Sequence, residues 1–211
     1  MNLIRSLFSW TTALRDEYRR FFNSAVVNVQ AVSKVQQSYQ RLMANKVRYE
    51  AVANALKMPG VPWYLIGVIH MRESTYNFTR HLHNGDPLTA RTRKVPAGRP
   101  VANPAAGIGK PYTWEESAID AIRYMVSVSP PWTRGTNDSS VESLLHKIEA
   151  FNGGAYRTRN LPSPYLWADS NLQRPGKFVA DGKFDPQVTD TQLGAGVLLK
   201  YFLEQEAKKK S

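Results

Sequence analysis

Leu3, Leu7, Trp10, Leu14, Tyr18, Phe21 and Ala25 recur at three- and four-residue spacing, and Arg5, Arg15, Arg19 and Arg20 fall largely off that stripe. The pattern predicts an amphipathic N-terminal helix. Such a helix packs on its own protein, on a partner chain or on a membrane surface, and packing is the usual fate of such a stripe. Residues 26 to 57 also read as helical, in more than one piece, although neither glycine nor proline occurs before Pro59 to place a break. Met58-Pro59-Gly60-Val61-Pro62 is a firm stop, and Pro62 is placed to open the next helix. Trp63 to Glu73 follows as a buried helix, because Leu65, Ile66, Val68 and Ile69 make it apolar on most sides.

The periodicity then stops. Residues 75 to 113 read as a long loop or a small β-hairpin, with Asn84-Gly85-Asp86-Pro87 and later Pro96, Gly98, Pro100, Pro104, Gly107 and Gly109. Thr113-Trp114-Glu115-Glu116 has the form of a helix N-cap with acids in its first turn, opening a helix to about Val128. Another helix is predicted over about Val141 to Phe151, an irregular stretch over 153 to 187, and a last helix over about 188 to 206 before a lysine-rich tail. The expected fold class is mainly α. Residues 1–45 form a basic helical extension and 46–211 a helical domain with a small hairpin or long loop lining a cleft.

Charge modifies this picture more than composition does. The chain of 211 residues carries a formal charge of +11, with 15 Lys/Arg against 5 Asp/Glu in residues 1 to 100. A basic front half suits an anionic partner such as nucleic acid, lipid headgroups or a bacterial cell wall, or simply a solvated face. The absence of cysteine excludes disulfides, thiolate zinc sites and a cysteine nucleophile. No stretch approaches a membrane span, and the N-terminus does not read as a secretion signal, since Arg5, Ser6 and Ser9 break its apolar run.

Glu73 is the most informative residue. An acid that ends an almost wholly apolar helix is expected to sit with that helix end in the core, and the helix dipole opposes its charge. Both effects favour a carboxyl that holds its proton, as a general acid must. Asp86 lies thirteen positions on, in a polar glycine-containing loop that keeps it ionised. Two carboxyls in contrasting environments are what glycoside hydrolysis needs. Thr92, six positions further, offers a hydroxyl to orient an attacking water. Taken singly, each is equally a surface acid, a turn aspartate or an ordinary loop threonine.

Ile69-His70-Met71-Arg72-Glu73-Ser74, followed by Asn77-Phe78, resembles the Glu-Ser motif of lytic transglycosylases and goose-type lysozymes. Glu149 to Gly154 is similar to their later Ala-Tyr-Asn-x-Gly motif. The Glu73 to Asp86 interval resembles that between acidic residues of goose-type lysozymes. The Asp86 to Thr92 interval resembles the spacing in phage muramidases that use a Glu, Asp, Thr set. Residues 46 to 207 resemble a phage and prophage lysozyme-like endolysin family through HNGDPL, VPAGRP, WEESAIDA, the FNGxGYR pattern (FNGGAYR in this chain) and SPYLW with GKFVADGKFDP. The Gly-Leu-Met-Gln motif of many lytic transglycosylases is absent.

The resemblance implies a lysozyme-like helical domain that cleaves peptidoglycan between N-acetylmuramic acid and N-acetylglucosamine. Glu73 would act as acid, with Asp86 and Thr92 assisting. His70, Ser74, His83, Asn84, Asn152, Tyr156, Tyr165 and Trp167 are the candidate substrate-binding residues. A transglycosylase, which lets the sugar's own 6-hydroxyl attack, can dispense with the aspartate. Neither metal nor cofactor is implied. The protein would be made in a host bacterial cytoplasm and act in the periplasm or cell wall. Residues 1–45 would serve an anionic membrane, a lipopolysaccharide surface or a virion assembly.

Two rival readings come from the residues themselves. His70, Glu73, His81, His83 and Asp86 form an inventory that could hold zinc, although no HExxH is present. Arg91, Arg93, Lys94 and Arg99 make a basic loop that could contact phosphates of nucleic acid, or the carboxylates and phosphates of a cell wall. No nucleic-acid-binding motif accompanies that loop, so nucleic acid is not the expected partner.

Overall fold

The computed structural model describes residues 9–101, 111–180 and 182–210. Leu3 and Leu7 of the N-terminal stripe, Arg5 beside it, and Pro104, Gly107 and Gly109 lie outside the described residues. The fold is mainly helical with one small antiparallel hairpin among those described. The chain divides into two compact units, residues up to Gln40 with Val141 onward, and Arg41–Ser140. That partition follows packing, whereas a division at residue 45 follows charge and helix pattern.

The Arg41–Ser140 unit is built on α3 (Lys46–Leu56), α4 (Trp63–Ser74), α5 (Trp114–Val128) and the short α6 (Pro130–Arg134). Helix α3 packs against both α4 and α5. Helix α4 is apolar all round, as its sequence requires, and every residue from Leu65 to Met71 is buried. Gly67 sits in its middle at a cost of about 1 kcal/mol relative to alanine. The reason is packing: a Cβ there would lie 2.2 Å from Cδ1 of Leu42 and 3.2 Å from the Tyr49 ring. Helix α5 opens on a capping box, Thr113 Oγ1 accepting from the Glu116 N–H and Glu116 Oε2 from the Thr113 N–H.

The other unit holds α1 (Thr12–Ser24), α7 (Val141–Phe151), the four-residue α8 (Pro164–Trp167) and α9 (Ala195–Lys208). Helix α2 (Val32–Ala44) supplies Val35 and Tyr39 to this unit and Leu42 to the other. Within the described part of the N-terminal stripe, Leu14, Tyr18 and Ala25 are buried. Helix α1 packs on α7, and Trp10 stacks on His146 with 4.8 Å between ring centroids.

The hairpin lies where the sequence pattern is irregular. Strands β1 (Lys177–Ala180) and β2 (Lys183–Asp185) pair Phe178 with Phe184, and both rings pack on Tyr156. Residues 75–101 form a loop with one isolated bridge, Arg80 to Pro87. Helix α9 starts at Ala195 rather than near 188. Gly194 fixes that start: its N–H donates to Ala168 O, and a Cβ there would lie 2.3 Å from the Leu166 carbonyl oxygen. No described helix is long and apolar enough to cross a membrane.

Candidate functional site

Helix α4 ends abruptly. Thr75 and Tyr76 both take left-handed backbone conformations, with φ of 53° and 60°. For residues with a Cβ this costs on the order of 1–2 kcal/mol each. Several groups hold the turn. The Thr75 N–H donates to Met71 O, Arg41 Nη2 donates to Thr75 O at 2.9 Å, and the Arg41 guanidinium lies 5.0 Å above the Tyr76 ring. His70 ties helix to turn, bonding through Nε2 to the Asn77 carbonyl and through Nδ1 to the Tyr49 hydroxyl. Since a carbonyl only accepts, Nε2 carries the proton and Nδ1 accepts.

Glu73 is in the last turn of α4, half-buried. The next loop closes onto that turn. A Cβ on Gly85, whose φ is +74°, would lie 2.7 Å from the Glu73 carbonyl oxygen, so only glycine permits this approach. Asp86 is the next residue. Its carbonyl accepts from the His81 N–H, and Gly85 N–H donates to His81 O, making 81–86 a tight, closed turn. Thus the end of α4 and the turn that carries Asp86 are in direct backbone contact, although thirteen residues separate Glu73 from Asp86.

The Asp86 carboxylate is buried, and its Oδ2 accepts the N–H groups of Arg93 at 2.7 Å and Lys94 at 2.9 Å. Burial pushes this carboxyl up, but the two N–H groups outweigh burial and hold it below the usual aspartate range. Lys94 Nζ, 3.7 Å away on an exposed side chain, adds little. Thr92 is buried. Its hydroxyl donates to the Pro96 carbonyl and accepts from the Arg99 N–H at 2.9 Å, leaving one acceptor lone pair. Asn84 braces the same loop, its amide donating to Lys94 O and its oxygen accepting from the Asp86 N–H. Ser74 Oγ makes a long bond to Asn77 O.

Behind the loop lies a polar network on α5. His83 Nε2 donates to Asp120 Oδ2 at 2.8 Å, and Arg99 grips both Asp120 oxygens through Nε and Nη2. Ser117 Oγ bonds His81 Nδ1 at 2.8 Å, while His81 Nε2 donates to Ala90 O. Burial pushes the Asp120 carboxyl up, and His83 and Arg99 more than reverse it, so it stays below its ordinary range. Ser117 and Asp120 were not among the sequence candidates. Their signal was present: two polar residues one turn apart share a helix face with Trp114 and Ala121. The three histidines of the zinc inventory spend their ring nitrogens on these bonds. Among the described residues no group of three His, Asp or Glu side chains could hold a metal ion.

The remaining candidates lie in the other unit. Asn152 is exposed, its N–H donating to Glu149 O. Tyr156, Tyr165 and Trp167 are 5%, 4% and 1% exposed, so their rings pack in the core of their unit. The Tyr156 hydroxyl accepts the Phe178 N–H and anchors the hairpin. Sequence pattern marks loop aromatics but not which of them the fold buries.

His70 gives a measurable pH dependence. Burial pushes its pKa from 6.5 down to about 4, so the folded protein holds the ring neutral while the unfolded chain protonates it below about 6.5. Its contribution to stability, on the order of 3 kcal/mol, is full above pH 6.5 and is lost as pH falls towards 4. His83, also lowered by burial, acts in the same direction. Urea titrations at pH 7 and pH 5 are expected to show a smaller loss on acidification for His70→Gln than for the wild type. Equal losses would exclude His70 as a source.

Comparison with known proteins finds no family model that matches the chain, no curated protein similar to it and no solved structure that matches it.

Proposed function

We propose that the chain is a peptidoglycan-cleaving glycosidase of lysozyme-like type that acts on the β-1,4 bond between N-acetylmuramic acid and N-acetylglucosamine. The observation that carries this reading is the contact of Gly85 with the Glu73 carbonyl, which sets the Asp86 turn against the end of α4. Glu73, half-buried at that end, gives its proton to the glycosidic oxygen as the bond to the anomeric carbon breaks. Asp86, held ionised by two backbone N–H groups, faces the positive charge that develops on the sugar and takes a proton from the attacking water. Thr92 steadies that water through its remaining lone pair. The basic side chains of Arg91, Arg93 and Lys94, all exposed on the same loop, suit the carboxylates and phosphates of a bacterial wall. The protein would act in the periplasm or wall, with peptidoglycan as its partner.

A second reading has its own support. Asp86 Oδ2 and the Thr92 hydroxyl are both engaged in closing the 84–99 loop. If that is their whole role, the sugar's 6-hydroxyl replaces water and the enzyme is a lytic transglycosylase. Mass spectrometry of purified sacculi digested with the protein separates the readings, since water leaves a reducing end and internal attack leaves a 1,6-anhydro end. Release of neither kind of fragment would end the glycosidase proposal. Asp86→Asn preserves the acceptor for both N–H groups. For a hydrolase it is expected to slow wall digestion about 100-fold, and for a transglycosylase to change it little.

A further inference from the structure

A cavity of about 180 Å³ opens within the unit that contains α1, α7 and α8, well separated in sequence from Glu73 and Asp86. At its base is Glu149, on α7 and 2% exposed. Its Oε2 accepts three bonds: from the Tyr18 hydroxyl at 2.6 Å and from Arg157 Nε and Nη2 at 2.9 and 2.5 Å. Every bond it accepts from described residues falls on Oε2, which leaves Oε1 to the cavity. Arg157 Nη1 is taken up by Glu17, a half-buried carboxylate at the rim. Ser163, 2% exposed, also lines the cavity, and its hydroxyl finds no hydrogen-bond partner among the described residues. Phe21 and Trp167 supply apolar wall.

This is a built site with unmet polar groups. A buried hydroxyl without a partner costs on the order of 1–3 kcal/mol, so its persistence points to an occupant. The charge count defines that occupant's chemistry. Two carboxylates face one guanidinium, and the guanidinium is committed to both of them. The surplus is one negative charge beside an open carboxylate oxygen, with aromatic faces alongside, which suits a cation on an apolar stem. Burial pushes the Glu149 carboxyl up, and Arg157 and Tyr18 draw it back only in part; a bound cation would draw it back further.

We propose that this cavity binds a primary ammonium on a short aliphatic stem, its nitrogen held by Glu149 Oε1, the Glu17 carboxylate and the Ser163 hydroxyl, its stem against Phe21 and Trp167. The ammonium comes either from a free diamine or from the side chain of a lysine-like residue in a peptide. The proposal is independent of the glycosidase reading.

Calorimetric titration of the full chain tests it with cadaverine and with Nα-acetyl-lysine methylamide; N-acetylglucosamine and glutarate serve as the neutral and anionic controls. Saturable one-to-one binding of an amine, without binding of either control, is expected. Tighter binding of the lysine derivative assigns a peptide source, and tighter binding of cadaverine a free diamine. Glu17→Gln, at the half-exposed rim, is expected to weaken the amine about tenfold, and Ser163→Ala by a smaller factor. These two variants carry the test even if Glu149→Gln fails to fold. No saturable amine binding, preference for a control, or amine affinity unchanged in both variants would overturn the proposal.

Discussion

Glu73→Gln is expected to reduce the initial rate of peptidoglycan digestion by about 1,000-fold. Glutamine keeps the shape and polarity of the side chain and loses only the transferable proton. The bonds that cap the end of α4 come from the backbone, from His70 and from Arg41, and the substitution removes none of them, so the helix end should hold. The check is paired: turbidity of purified peptidoglycan for rate, and circular dichroism with thermal melting for structure. Loss of rate with an unchanged melting curve isolates the proton. A variant that digests walls near the wild-type rate would remove Glu73 from the mechanism.

Asp120→Ala is expected to destabilise the protein by about 3 kcal/mol, the scale found when one member of a buried charge pair is removed. Alanine leaves Arg99, with 21% of its side chain exposed, without its bidentate carboxylate, and leaves His83, 1% exposed, with a buried N–H and no acceptor. Arg99 and His83 lie on either side of Asp86 in the sequence, and their grip on Asp120 ties the loop to α5. Digestion should therefore fall along with stability. Lys94→Ala is the control: that side chain is 73% exposed, and its loss should change the melting midpoint little. Acid has a related effect. The depressed Asp120 pKa means its stabilising contribution is present above pH 3.8 and is lost as pH falls through the lower folded value. Urea midpoints that match between Asp120→Ala and wild type at pH 7 would show that the network holds nothing together.

Much of the helical frame was legible in advance. The Pro59-Gly60 stop, the Thr113 cap and the apolar run of α4 are local signals, and local signals survive folding because a helix satisfies its own backbone. A small hairpin belonged to the expected fold class, but its place was not legible: it lies at 177–185 rather than within 75–113. Phe178 and Phe184 pair directly and pack on Tyr156, which is more than twenty residues earlier, and no alternation in the short strands announces it. Tyr165 and Trp167 show the same limit: residue type marks them as large and amphipathic, but whether a ring meets solvent or core depends on chain segments distant in sequence. In the sequence Glu149 is marked only as part of a motif. Its partners Tyr18 and Arg157, 131 residues before it and 8 after, make it the floor of a cavity.

The sequence alone determined the mainly helical class, where most helices start and stop, and the identity of the acid that ends α4, because periodicity and capping act over a few residues. The tertiary structure decided what those residues meet. It set Gly85 against the Glu73 carbonyl, gave Asp86 its two N–H donors, and spent His70, His81 and His83 on internal bonds. The environment of a carboxyl or an imidazole is fixed by groups that arrive from elsewhere in the chain, and no local pattern encodes their arrival.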